Sequence, residues 1–158
     1  MDDLARDLGR RLQAAKAVLV TAESCTGGWA TQVVTSVAGS SAWFDRGFVT
    51  YSNTAKQELL GMYAETLRQH GAVSEETARE MALGALARSQ GTVALSVTGV
   101  AGPGGGTRDK PVGTVCFAWA LGKQVHSETR LFSGDRESVR KQSVVRALEG
   151  VLSALGGG

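Results

Sequence analysis

Leu4, Leu8 and Leu12 recur every four residues among charged neighbours, so residues 2–15 are predicted to form an amphipathic helix. An unbroken apolar run follows, Ala17-Val18-Leu19-Val20-Thr21-Ala22, short and β-branched enough to be a strand buried on both faces. It stops at the polar turn Glu23-Ser24-Cys25-Thr26-Gly27-Gly28. Helical spacing then resumes with Ala30, Val33, Val34 and Val37, which predicts a helix over Trp29–Val37.

The same exchange of periods continues along the chain. Gly47–Tyr51 is predicted as a second strand, Ser52-Asn53 as the cap of a helix over Thr54–Leu60, and residues 64–70 as a short helix stopped by Gly71. Ser74 caps a longer helix with Glu75 and Glu76 in its first turn, an apolar face of Ala78, Met81, Ala82, Ala85 and Leu86, and its end at Gly91. Thr92–Val97 is the next strand, Thr98–Lys110 a glycine-rich loop, and Pro111–Leu121 with Gln124–Phe132 an antiparallel hairpin about Gly122-Lys123. A last helix opens near Asp135 and runs to about Leu155, and residues 156–158 form a frayed glycine tail. Interleaved helices and strands with a hairpin in the same sheet predict an α/β fold, a three-layer α/β/α arrangement with a mixed parallel and antiparallel sheet. No linker or repeat divides residues 1–158, so a single domain is expected.

Composition narrows the chemistry. The only cysteines, Cys25 and Cys116, form no CxxC, and the only histidines, His70 and His126, share no ligand spacing. Neither a disulfide framework nor a metal site is expected, and no cofactor is called for. No apolar stretch approaches the ~18 residues of a membrane span, and the N-terminus lacks a signal-peptide core, so a cytoplasmic protein without membrane partners is expected. A net charge of +2 with dispersed arginines argues against nucleic acid.

Ligands of open α/β sheets bind beyond the carboxyl ends of the strands, where Glu23–Gly28, Tyr51–Lys56 and Thr98–Gly106 are all expected. Ser24, between a buried strand and a helix, is a candidate nucleophile, with the N–H groups of Cys25, Thr26 and Gly27 available to a developing oxyanion. The alternative is that Ser24 or Thr26 is only a helix cap and Gly27-Gly28 only relieve packing. Cys25 is the rival nucleophile, since a helix N-terminus favours a thiolate. With no histidine in these segments, Lys56, one of only five lysines, is the candidate base, because burial can leave a lysine neutral. Tyr51 could relay or donate a proton. The glycine-rich loop could form an anion-binding nest, yet it matches neither GxxxxGK[ST] nor GxGxxG. Arg136 and Arg140 oppose the dipole of the last helix, a cost that an anionic ligand would reverse, unless Glu137 and Glu128 pair with them.

Taken together, the segments TAESCTGG (21–28), YSNTAK (51–56), GAVS (71–74), TGVAGPGGG (98–106) and KPVGTV (110–115) resemble the CinA C-terminal domain family over nearly the whole chain. Stand-alone members of that family include nicotinamide-nucleotide amidases. The resemblance implies a small nucleotide substrate, nicotinamide mononucleotide, hydrolysed to nicotinate mononucleotide and ammonia in pyridine-nucleotide salvage. It further implies Ser24 as nucleophile, Lys56 as base with Tyr51 nearby, and Cys25 as a packing residue. Thr26, Gly27, Gly28, Thr98, Gly99, Gly102, Arg136 and Arg140 are the expected substrate-binding residues. A homo-oligomer is also implied, for which Trp43, Phe44, Phe48 and Met62 are contact candidates unless they belong to the core. The alternatives are a silent interaction or regulatory domain and an amidase for another small amide.

Overall fold

The computed structural model describes residues 1–156. Its elements are α1 (Asp2–Ala14), β1 (Leu19–Glu23), α2 (Trp29–Thr35), β2 (Phe44–Val49), α3 (Asn53–Leu60), α4 (Ala64–His70), α5 (Glu75–Ala87), β3 (Val93–Gly99), β4 (Thr114–Leu121), β5 (Gln124–Leu131) and α6 (Arg136–Gly156), with one 3-10 turn at Ser40–Ala42. The sheet runs β2-β1-β3-β4-β5. β1 is parallel to both β2 and β3, whereas β3, β4 and β5 pair antiparallel. The mixed three-layer α/β/α arrangement is therefore as expected.

Alternation along the strands sorts the core into two halves. Leu19, Leu95, Val97, Phe117 and Trp119 pack against α1, α2 and α6, while Val20, Ala22, Ala94, Ala118 and Ala120 pack against the α3–α5 side. The small residues on the second face let α5 lie close, and its buried side is Ala78, Met81, Ala82 and Ala85. Trp43 and Met62 are buried and belong to this core, which withdraws them as subunit contacts, whereas Phe44 and Phe48 are partly buried beside it. No helix of the described residues is long and apolar enough to cross a membrane.

Local caps explain the boundaries. Ser52 Oγ accepts from the Ala55 N–H at 3.0 Å and Ser74 Oγ from the Thr77 N–H at 3.1 Å, each satisfying a donor that the first helical turn leaves free. Several limits differ from the patterning. β2 begins at Phe44 and ends before Tyr51, because its register is set by pairing with β1 rather than by its own apolar run. β3 carries Thr98 and Gly99, expected in the loop, since both still pair with β4. α5 ends at Ala87, short of Gly91, and α6 continues through Gly156, so of the expected tail only residues 157 and 158 lie outside the described residues.

Candidate active site

Because β1, β2 and β3 are parallel, their carboxyl ends share one edge of the sheet, and the three polar segments leave from that edge. Two backbone bonds continue the sheet pattern past the strand ends, Ser24 N–H to Val97 O at 2.9 Å and Thr50 N–H to Glu23 O at 2.8 Å. They bring Ser24 and Thr50 to the same place. Beyond them opens a cleft of about 310 Å³ lined by Ser24, Cys25, Tyr51, Lys56, Ala72, Val73, Thr98, residues 99–102, Gly104, Gly105 and Arg136.

Lys56 lies in α3, one turn past its cap, and is 1% exposed. Its Nζ is 2.9 Å from Ser24 Oγ, 2.9 Å from the Thr50 carbonyl and 3.3 Å from the Tyr51 carbonyl. Burial lowers its pKa from the ordinary 10.5 to about 8. A neutral amine has two hydrogens and one lone pair. The two carbonyls take the hydrogens, which leaves the lone pair facing the Ser24 hydroxyl. The arrangement is that of a serine hydroxyl beside a buried amine of lowered pKa.

Cys25 has the opposite character. Its thiol is buried in the core formed with α1, α2 and α6, and burial pushes its pKa up to about 12, so it stays protonated at neutral pH. Tyr51 meets Lys56 through its carbonyl rather than its ring. The side chain is 62% exposed at the cleft mouth, and its hydroxyl accepts from Arg136 Nη2 at 3.2 Å. Arg136 Nη1 also donates to Gly102 O at 2.8 Å, so one guanidinium joins the β2–α3 turn to the glycine-rich loop. Gly102 adopts a φ of 84°, and a Cβ there would run into Val112 Cγ1, which explains glycine there.

The residue that patterning missed is Glu23. Its side chain is fully buried, and its carboxylate accepts from Thr26 Oγ1 (2.6 Å), Ala30 N–H (2.8 Å), Thr31 N–H (3.0 Å) and Thr31 Oγ1 (2.6 Å). The carboxylate thus caps α2 from beneath through the Ala30 and Thr31 N–H groups, and none of its four donors is the N–H of Cys25, Thr26 or Gly27. Its signal in the sequence was a charge closing an otherwise apolar strand, two positions beyond Thr21 on the face that meets α2. Gly28, at φ 103°, is the backbone N-cap and lets the chain turn over this carboxylate. Gly27 N–H is engaged, donating to Ser24 O at 3.1 Å. Among the described residues the N–H groups of Cys25, Thr26 and Gly28 have no protein acceptor.

The remaining expected binding residues divide. Thr98 and Gly99 line the cleft, but the Thr98 hydroxyl donates to Ala72 O at 2.8 Å and holds the α4–α5 connection in place. Thr26, Gly27 and Gly28 line a second, wider cleft of about 720 Å³ with Trp29, Gln32, Arg136, Glu137 and Arg140. Arg140 stands over the Trp29 ring at 5.4 Å and donates through Nε to Cys25 O and through Nη2 to Thr26 O, both at 3.1 Å. Neither Arg136 nor Arg140 forms an ion pair among the described residues, and Glu128 pairs instead with Arg130 and Arg146, both at 2.7 Å.

A family model described as the CinA C-terminal domain matches residues 1–155. The chain belongs to the CinA C-terminal domain family. It is 52% identical over 147 residues to a protein of Escherichia coli K12 named nicotinamide-nucleotide amidohydrolase PncC, covering 92% of this chain and 89% of the relative. A Pseudomonas putida protein of the same name is 52% identical, with 94% and 93% covered. Longer relatives exist, such as a CinA-like protein of Syntrophobacter fumaroxidans, 50% identical over 92% of this chain and 34% of its own length. Among solved structures, a CinA-superfamily protein of Klebsiella pneumoniae superimposes with a TM-score of 0.96 at 38% identity, covering 99% and 98% of the two chains. A competence/damage-inducible protein of Agrobacterium tumefaciens gives 0.93 at 46% identity, covering 98% and 94%.

Proposed function

We propose that this CinA-family chain is a nicotinamide-nucleotide amidohydrolase that converts nicotinamide mononucleotide and water to nicotinate mononucleotide and ammonia, with Ser24 as nucleophile and Lys56 as general base. The carrying observation is the 2.9 Å contact between a buried, pKa-lowered Lys56 amine and the Ser24 hydroxyl. The shared name of the relatives at about half identity supports the substrate class.

Neutral Lys56 takes the Ser24 proton as Oγ bonds to the carboxamide carbon, and the carbonyl electron pair moves onto oxygen. The resulting anion faces the turn after Ser24, where the Cys25 and Thr26 N–H groups are donors without a protein partner among the described residues. When the carbonyl re-forms, the C–N bond breaks and the Lys56 ammonium returns its proton to the departing amine, releasing ammonia. Water then attacks the nicotinoyl ester, giving a proton to Lys56, and Ser24 Oγ leaves with that proton. Each half-reaction restores the neutral base. Arg136, at the cleft mouth beside Tyr51, is the cation placed for the substrate phosphate. A cytoplasmic location and self-association are part of the same reading, with light scattering as the check on assembly.

The test is ammonia release from nicotinamide mononucleotide by the wild type and by Ser24→Ala and Lys56→Met. Wild-type turnover with both variants at least 1,000-fold slower is expected, the scale of losing a nucleophile or its base. Full activity of Ser24→Ala would refute the assignment. A wild type inert on this substrate and active on another small amide would move the chemistry to that amide.

A further inference from the structure

Four hydrogen bonds and three unpaired N–H groups define the turn after Ser24. Arg140 Nε donates to Cys25 O and Nη2 to Thr26 O, while Gly27 N–H donates to Ser24 O and Trp29 N–H to Thr26 O. The N–H groups of Cys25, Thr26 and Gly28 have no acceptor among the described residues, and of these only the Thr26 N–H shares a peptide with a carbonyl that Arg140 holds. In a trans peptide the C=O and N–H point in opposite directions. Fixing the Cys25 carbonyl toward Arg140 therefore turns the Thr26 N–H away from Arg140. In the next peptide the same grip directs the Gly27 N–H back onto Ser24 O and closes the turn.

We infer that Arg140 is a positioning residue for the oxyanion-binding turn rather than a direct ligand of the substrate phosphate. Its guanidinium is itself held, by the Trp29 ring at 5.4 Å and by its place in the first turns of α6. No ion pair among the described residues competes for it. Two carbonyls at a fixed spacing suit the planar fork of arginine, and a lysine ammonium can serve them only as a point charge. The positive charge also adds favourably to the field at the Thr26 amide when an oxyanion forms. This inference rests on Ser24 being the nucleophile but not on the identity of the amide.

The experiment measures phosphonylation of Ser24 by a small uncharged fluorophosphonate in the wild type, Arg140→Lys and Arg140→Met, followed by intact mass with Ser24→Ala as the blank. Steady-state kinetics are run beside it on nicotinamide mononucleotide and on the riboside lacking the phosphate. Labelling and kcat are expected to fall together, by about 100-fold in Arg140→Met and about 10-fold in Arg140→Lys, the range seen for loss of an oxyanion donor. KM for the nucleotide should stay within about twofold, and the proportional loss should be the same on the riboside. Arg140→Lys keeps the stem over Trp29 and the charge, so its folding, read by thermal melting, separates lost positioning from lost structure. Wild-type labelling rates in both variants, or a raised nucleotide KM with unchanged kcat, would overturn the inference. A wild type that labels at Ser24 but releases no ammonia from the nucleotide refutes the substrate reading alone, and the labelling rates still decide the role of Arg140. A wild type that resists labelling overturns both.

Discussion

In the proposed mechanism Lys56 links activity and stability through one proton. At its ordinary pKa of 10.5 a lysine is neutral in roughly one part in three thousand at pH 7, whereas at about 8 the neutral fraction is about one tenth. Burial therefore raises the population of the neutral amine, the form the proposed mechanism needs, by about 300-fold. The same shift costs stability. An unfolded Lys56 keeps its proton up to about pH 10.5, while the folded one releases it above about pH 8, so between these values the unfolded state binds more protons and stability rises with pH. Below pH 8 the folded state carries the full penalty of a buried ammonium, and by pH 10.5 the penalty is gone. The fall from 10.5 to about 8 corresponds to about 3 kcal/mol. The perturbation is Lys56→Met, which removes the titrating group and keeps the apolar stem. Denaturant unfolding of both proteins from about pH 7 to 10.5 gives the difference in stability at each pH, cancelling every other titration. Relative to the variant, the wild type should gain about 3 kcal/mol across that window. In parallel, wild-type kcat/KM for ammonia release should climb nearly tenfold per pH unit below 8 and level above it. A flat stability difference, or a rate that levels only near 10.5, would refute the argument that burial prepares the base.

Three further outcomes follow from the same geometry. Glu23→Gln puts an amide among four donors, turning at least one hydrogen bond into a donor–donor clash, so a loss of about 3 kcal/mol in denaturant unfolding is expected together with reduced kcat. Cys25→Ala should keep kcat within about twofold while losing about 1–2 kcal/mol of packing, and loss of activity with intact folding would restore the thiol as a nucleophile. Thr50 Oγ1 is buried without a hydrogen-bond partner among the described residues, so the nearly isosteric Thr50→Val should raise stability by about 1 kcal/mol, read as a higher melting temperature.

Much of the fold was legible because periodicity and caps act locally. The leucine spacing of α1, the capping serines at 52 and 74, and the hairpin about Gly122-Lys123 all depend on residues a few positions apart. Strand limits were less legible, since Phe44, Arg46, Thr98 and Gly99 are strand only because a neighbouring strand supplies their partners. The candidate chemistry divided in the same way. Scarcity of histidine and cysteine directed attention to Ser24 and Lys56, and the family motifs reinforced that choice.

What the sequence by itself determined is the set of groups available and the order of elements that carries them to one edge of a sheet. What only the tertiary structure decided is the state of those groups. Ser24 and Lys56 are 32 residues apart, and their 2.9 Å contact exists because β1 and β2 pair in parallel and α3 turns back over their ends. Burial, which no local pattern reports, lowers the Lys56 pKa and raises that of Cys25. The same packing turns Glu23 inward under α2, leaves the Thr26 amide free, and sets Arg140 of the last helix against the turn it holds. Proton affinity and dipole direction are properties of the assembled surroundings, and those surroundings come from elements distant in the chain.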